Sequence, residues 1–274
     1  SPLLIALKMT LTVSNSEWKL VSRRRAFNRR KSCNPAIDNS CSNVPYPVDF
    51  ICRRMPNVVS SLSRTPFFTS AHQWLSNHAF FMRNEHIDIV CYGIGRFGGS
   101  RAAQHQLAFL MLLVIAWKDR IRHPVLVYDP LLDVNEREYL KSACLTDIAL
   151  NEEGRRKVTR PTLFYMPHCG RALYNNLLGA NWSTLENVCV LGNSLDRYCS
   201  ASKQSDDDIF IRALEAFWSA DACSYEDPDE VCLGAFNDLS VHYFTREALN
   251  KLPTHLNAKL ADSETIISAI RIGQ

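Results

Sequence analysis

The sequence has no Cys-x-x-Cys pair among its ten cysteines, no long hydrophobic run and no dominant charge of one sign. Each absence excludes something. Zinc modules and thioredoxin-like redox sites need closely paired cysteines, whereas here Cys91 and Cys189 sit in apolar stretches, Cys144 near a helix end and Cys199 and Cys223 in loops. That scatter reads as reduced thiols of a cytosolic or nuclear protein and not as a disulfide framework. The longest apolar run, Leu107 to Trp117, is about half of the roughly 20 residues that cross a bilayer, so it is expected to be a buried helix, with no membrane as partner. A net charge of +3, with 22% charged residues, supplies no global field toward membrane or nucleic acid. The opening Ser1 to Lys8 lacks the charged and apolar regions of a signal peptide. Met9 is a candidate start, which would leave residues 1–8 outside the translated protein.

What the sequence does have is a local basic run. Lys19 to Lys31 holds seven basic residues and no acidic one, in two clusters, Arg23 to Arg25 and Arg29 to Lys31, and a polar stretch follows to Pro47. We read residues 1–47 as a flexible basic arm, a solvated charge run, a nuclear-import signal or, least of the three, a direct RNA or DNA contact, which gives an expected distribution between cytoplasm and nucleus. Residues 48–250 are read as one α/β domain and residues 251–274 as a C-terminal tail. At 46% hydrophobic residues the chain can fill a sizeable core.

Within the domain, β-branched runs alternate with helical spacing. Ile87 to Tyr92, Pro124 to Asp129, Asp147 to Leu150, Pro161 to Met166 and Val188 to Leu191 read as strands, and Val241 to Phe244 as a last one at an edge. Ala103 to Val114, Glu136 to Cys144, Ala172 to Leu178 and Ile209 to Trp218 read as helices between them; Pro66 to Phe81 has the spacing of a short amphipathic helix, while the pattern from Val48 onward is less clear. Such alternation predicts a Rossmann-like parallel sheet with helices on both faces. Nearly continuous apolar strands agree, because a sheet covered on both sides has no wet face.

In an open α/β sheet, ligands lie beyond the carboxyl ends of the strands. The segments there are Gly93-Ile-Gly95-Arg-Phe-Gly98, Tyr128-Asp129-Pro130, Pro167-His168-Cys169-Gly170 and Gly192-Asn193-Ser194, all expected on one edge. The first has G-x-G-x-x-G spacing, in which backbone amides approach a phosphate at a helix N-terminus. The acidic residue expected about 20 positions on is missing. Asp129 stands further along, able either to accept from ribose hydroxyls or to cap the turn before Pro130. His168 and Cys169 are chain neighbours, which point apart in an extended segment and rarely pair as nucleophile and base. Asp238, Ser240 and His242 share one face of an extended segment that borders the same crevice. The candidate ligand-binding set is therefore Gly93, Gly95, Gly98, Asp129, His168, Asn193, Ser194, Asp238 and His242, with no complete catalytic constellation and no metal site. Each of these residues also has a purely structural role open to it, as turn former, loop brace or buried polar group.

Taken together, Tyr92-Gly-Ile-Gly95, Gln106-Leu-Ala-Phe109, Tyr128-Asp-Pro130, Asn151-Glu-Glu-Gly154, Phe164 to Gly170, Leu173-Tyr-Asn-Asn-Leu-Leu178, Gly192-Asn-Ser194 and Phe236 to His242 resemble the sensitivity-to-red-light-reduced family, the SRR1-like domain, in family order over about 155 residues. Glu17-Trp-Lys-Leu-Val21 before the basic arm is similar to the N-terminus of its animal members. The chain departs from the family pattern after the first strand, where Phe97-Gly98-Gly99 replaces a more serine-rich turn and Gln104-His105 stands where a basic residue is common. The resemblance implies a role in circadian-clock input and, for animal members, an association with control of heme biosynthesis, without an established reaction. Three readings follow: a regulatory protein that binds a small ligand or a protein partner; an enzyme using a nucleotide or an S-adenosylmethionine-like cofactor; and a heme sensor ligating iron through His168, Cys169 or His242. No heme-attachment motif accompanies the last.

Overall fold

The structure is a computed structural model that describes residues 45–195, 219–222, 234–236 and 239–250. The basic clusters, the expected helix over 209–218, Asp238 and the 251–274 tail lie outside the described residues. Three helices open the fold: α1 (Val48–Ser63), α2 (Pro66–Asn77) and α3 (Ala79–Arg83). In α1, Ile51, Met55, Val59 and Leu62 fall on one buried stripe, a spacing that the interior Pro56 obscures in the sequence. The single helix expected over Pro66 to Phe81 is two, because His78 takes an extended ψ of 139° and its side chain caps α3 through the Phe80 amide.

There follow β1 (Asp88–Tyr92), α4 (Arg101–Ala116), β2 (Val125–Tyr128), α5 (Val134–Ser142), β3 (Leu145–Asp147), β4 (Thr162–Met166), α6 (Arg171–Ala180), a 3-10 turn (Trp182–Asn187), β5 (Val188–Asn193), β6 (Ser219–Ala222), β7 (Leu239–Tyr243) and α7 (Arg246–Leu249). The seven strands are ordered β3-β2-β1-β4-β5-β7-β6. The first five are parallel, and β7 runs antiparallel to both β5 and β6. The fold is thus the expected α/β sheet, with two local differences. The third strand begins two residues earlier than expected, where Leu145 pairs with Val125 and buries its side chain. The segment expected at an edge is interior, because the short β6 covers it.

Alternation along each strand divides the core. Ile89, Cys91, Leu163, Tyr165, Leu191 and Val241 face the layer of α1 to α5, and Val90, Phe164, Met166, Val190 and Phe244 face α6 and the 3-10 turn. Helix α4 is buried along most of its length, consistent with the Leu107 to Trp117 run lying in the core. Coverage of the second face is uneven, since the β3–β4 crossover, residues 148–161, contains no helix. No helix among the described residues is long and apolar enough to cross a membrane.

Candidate functional site

Parallel pairing of β2, β1, β4 and β5 brings their carboxyl ends to one edge. The topological switch point lies between β1 and β4, whose crossovers run in opposite directions along the sheet. Here it is filled. The Cys169 sulfur lies 3.2 Å from the Tyr92 carbonyl, and a Cβ at Gly93 would stand 2.5 Å from that sulfur. Gly93 also holds a φ of 71°, so this position needs glycine for conformation and for space alike. Burial, and then the nearby charge of Asp129, push the Cys169 thiol up to about 12, so it remains protonated at neutral pH.

On one side of this plug is the glycine turn. Its amides are engaged by the protein itself: Gly95 donates to Asp129 Oδ2 at 2.7 Å and Gly98 donates to Glu136 Oε1 at 2.6 Å. The other Asp129 oxygen accepts from Leu131 at 2.8 Å. Asp133 and Glu136 form the capping box of α5, and Arg96 reaches back to Asp133 at 2.6 Å and to Glu136 at 3.7 Å. Glu136 is fully buried, and desolvation raises its pKa against the opposing pull of the Asp133 and Gly98 amides. The Tyr46 ring lies over Gly98 and Gly99, within 3.2 Å of where their Cβ atoms would be. Gln104 completes the turn by donating to Phe97 O while accepting from Arg54 of α1. Three carboxylates therefore crowd the turn where a bound phosphate would need donors.

On the other side stands a polar group built by β4, β5 and β7. Asn193 Oδ1 accepts from the His168 amide at 2.8 Å and Asn193 Nδ2 lies 3.4 Å from the Cys169 carbonyl, so one side chain braces the whole post-β4 loop. His168 has a φ of 56°, an uncommon conformation for a residue with a side chain. Its ring and the Cys169 sulfur go to different partners, as neighbours in this loop must: His168 is exposed, with Nε2 3.1 Å from the Ala235 carbonyl. His242, fully buried, places Nε2 3.0 Å from the Asn193 carbonyl. A carbonyl only accepts, so each ring donates from Nε2. Ser240 and His242 do share one face of β7, opposite Leu239 and Val241; Ser194 is half-buried beyond Asn193.

The candidate residues thus fall into two groups on one edge: Gly95, Gly98 and Asp129 in the glycine turn, and His168, Asn193 and His242 at the β4–β5–β7 end, with Gly93 and Cys169 closing the space between. Sequence reasoning missed the residues that shape them. Tyr174 donates to Met166 O at 2.5 Å and accepts from the Asn193 amide at 2.9 Å, and a Cβ at Gly192 would meet its hydroxyl at 2.5 Å. Gly192 and Tyr174 were both visible in the quoted motifs, yet only the β4–β5 pairing shows that one makes room for the other. Asp133 and Glu136, at capping-box spacing before α5, were the signal for the anions beneath the turn. Among the described residues no group of three His, Cys, Asp or Glu could hold a metal.

Comparison with known proteins places this geometry in a family. The chain is 30% identical to an SRR1-like protein of Drosophila melanogaster over 247 residues, 86% of this chain and 85% of that one. It is 29% identical over 273 residues to the Arabidopsis thaliana Protein SENSITIVITY TO RED LIGHT REDUCED 1, covering 89% of this chain and 98% of the relative. An SRR1-like protein of Mus musculus is 47% identical over 112 residues, but that match spans only 45% of the mouse protein and 40% of this chain. No solved structure matches. The SRR1 domain matches residues 73–243, the segment that carries the whole sheet and both polar groups, and the chain belongs to the SRR1 domain family.

Proposed function

We propose that this protein is a regulatory component of light- or clock-linked signalling that recognises a protein partner or small ligand at the carboxyl edge of its sheet, through His168 and the Asn193 and His242 groups that hold it. The light setting is taken from the name of the Arabidopsis relative, and the links to the clock and to heme biosynthesis rest on the family resemblance alone. One observation carries the recognition reading: the glycine-turn amides that a nucleotide enzyme would offer to phosphate already bind Asp129 and Glu136, while His168 presents an exposed ring on a braced, positive-φ loop. Cys169 supports no nucleophilic role, being a buried thiol with its pKa near 12 and its sulfur on the Tyr92 carbonyl. Of the three residues considered as iron ligands, Cys169 and His242 are buried, which leaves His168 as the only accessible one.

Native mass spectrometry of the full chain purified from its own cells, beside the His168→Gln and Asn193→Ala variants, tests this. The expected result is a bound partner or adduct that both variants lose while remaining folded. A nucleotide-mass adduct retained by both variants would overturn the reading in favour of an enzyme. A heme titration of wild type against His168→Gln adds a second arm: an absorption spectrum changed by the variant would support the sensor reading instead.

A further inference from the structure

At the opposite edge of the sheet a cavity of about 190 Å³ opens between the amino ends of β1, β2 and β4 and the helix-free crossover. Its floor includes the half-buried Leu126. Its charged lining is Arg122, Arg156, Lys157, Arg160 and Asp88. We propose that this cavity binds a small, multiply charged anion of the phosphate ester or pyrophosphate class, a second site distinct from the carboxyl edge.

Arg122, Arg156, Lys157 and Arg160 line the cavity together with Asp88, which Arg160 approaches at 3.0 Å and Arg122 at 4.0 Å. Arg156 is aimed by a bidentate pair with Glu152, at 2.6 and 2.9 Å, and Glu152 is in turn fixed by the Tyr92 hydroxyl at 2.6 Å. This chain gives Glu152 of the Asn151-Glu-Glu-Gly154 motif a structural role. A guanidinium carries five N–H donors in a plane; Arg156 and Arg160 each engage a carboxylate through Nε and Nη2, and Arg156 also has the Tyr92 side chain as a partner. Their remaining donors suit the bidentate recognition that phosphate oxygens favour. The volume is below the roughly 300 Å³ at which pockets for drug-sized ligands begin, so the ligand is compact. The small net charge of +3 argues against a nucleic-acid track.

The test is calorimetric titration of the full chain with inorganic phosphate and with pyrophosphate at constant ionic strength. Saturable binding to one site is expected, tighter for pyrophosphate, and weakened about tenfold or more in Lys157→Gln/Arg160→Gln, since each exposed charge-assisted contact removed is worth roughly three- to tenfold. Lys118→Gln, on the surface elsewhere, and His168→Gln, at the carboxyl edge, should bind as wild type, which separates failure here from failure of the recognition reading. If the double variant misfolds, Lys157→Gln alone should still weaken binding several-fold. Absence of saturable binding by both probes, or equal affinity in wild type and the folded variants, would overturn the proposal.

Discussion

The two edges of one sheet differ in how their polar groups are satisfied. At the carboxyl edge the glycine turn, the Cys169 thiol and Asn193 are tied to other parts of the same chain. At the amino edge Arg156 and Arg160 are each held by one carboxylate and keep further donors over a cavity. The location of a site in an open α/β sheet follows from topology, but whether that site is open follows from what side chains the loops send into it. Here a thiol and three carboxylates occupy the place where relatives of the architecture receive phosphate, whereas a crossover without a helix leaves a gap at the other end.

Substitutions should therefore cost most stability at the carboxyl edge. Gly93→Val combines a φ of 71° with a Cβ inside the Cys169 sulfur, and a loss of about 3–5 kcal/mol in urea unfolding is expected. Gly95→Val shares the positive φ, but its Cβ would meet only Ala103 at 3.5 Å. Backbone strain of about 1–2 kcal/mol should dominate there. Equal losses at the two glycines would break the distinction between a plugged crevice and an ordinary turn.

Asn193→Ala removes the acceptor of the His168 amide in an exposed loop, and a cost of about 1 kcal/mol should appear as a lower urea midpoint at unchanged slope. A neutral result would mean that solvent fills the space and that the loop needs no brace. Tyr92→Phe should cost about 1–2 kcal/mol, at the lower end because Arg156 still satisfies Glu152. By contrast Arg160→Gln at the amino edge, an exposed residue, should change stability by about 0.5 kcal/mol or less. A large loss there would make the cavity wall structural.

A pH series sharpens the same comparison. Burial raises the folded-state pKa of Glu136 above its ordinary value, so between the two values the folded state binds more protons than the unfolded state. Stability then falls as pH rises through that window. Glu136→Gln should flatten this part of the profile, read from urea midpoints at successive pH values. An unchanged profile would assign the dependence to other groups. The smallest effect is on reactivity: in native protein at neutral pH, alkylation followed by mass spectrometry should label the exposed Cys52 and Cys144 and spare Cys91, Cys169 and Cys189.

The sequence by itself determined the layered α/β class, six of the strands to within a few residues, and the meeting of four polar segments on one edge, because hydrophobic period and strand direction are local or follow from connection rules. It also held the family motifs. What it could not determine was the partner of each motif residue. The Asp129 carboxylate was open to ribose or turn, and only the pairing of β1 with β2 sets it against the Gly95 amide. The short β6 carries too few residues for a periodic signal, and Pro56 disguised α1. Cys169 against Tyr92 in the switch point, Tyr174 over Gly192 and the Tyr92–Glu152 pair join residues 18 to 77 positions apart. Contacts across such separations depend on strand register and loop path, and these are fixed only when the whole sheet packs.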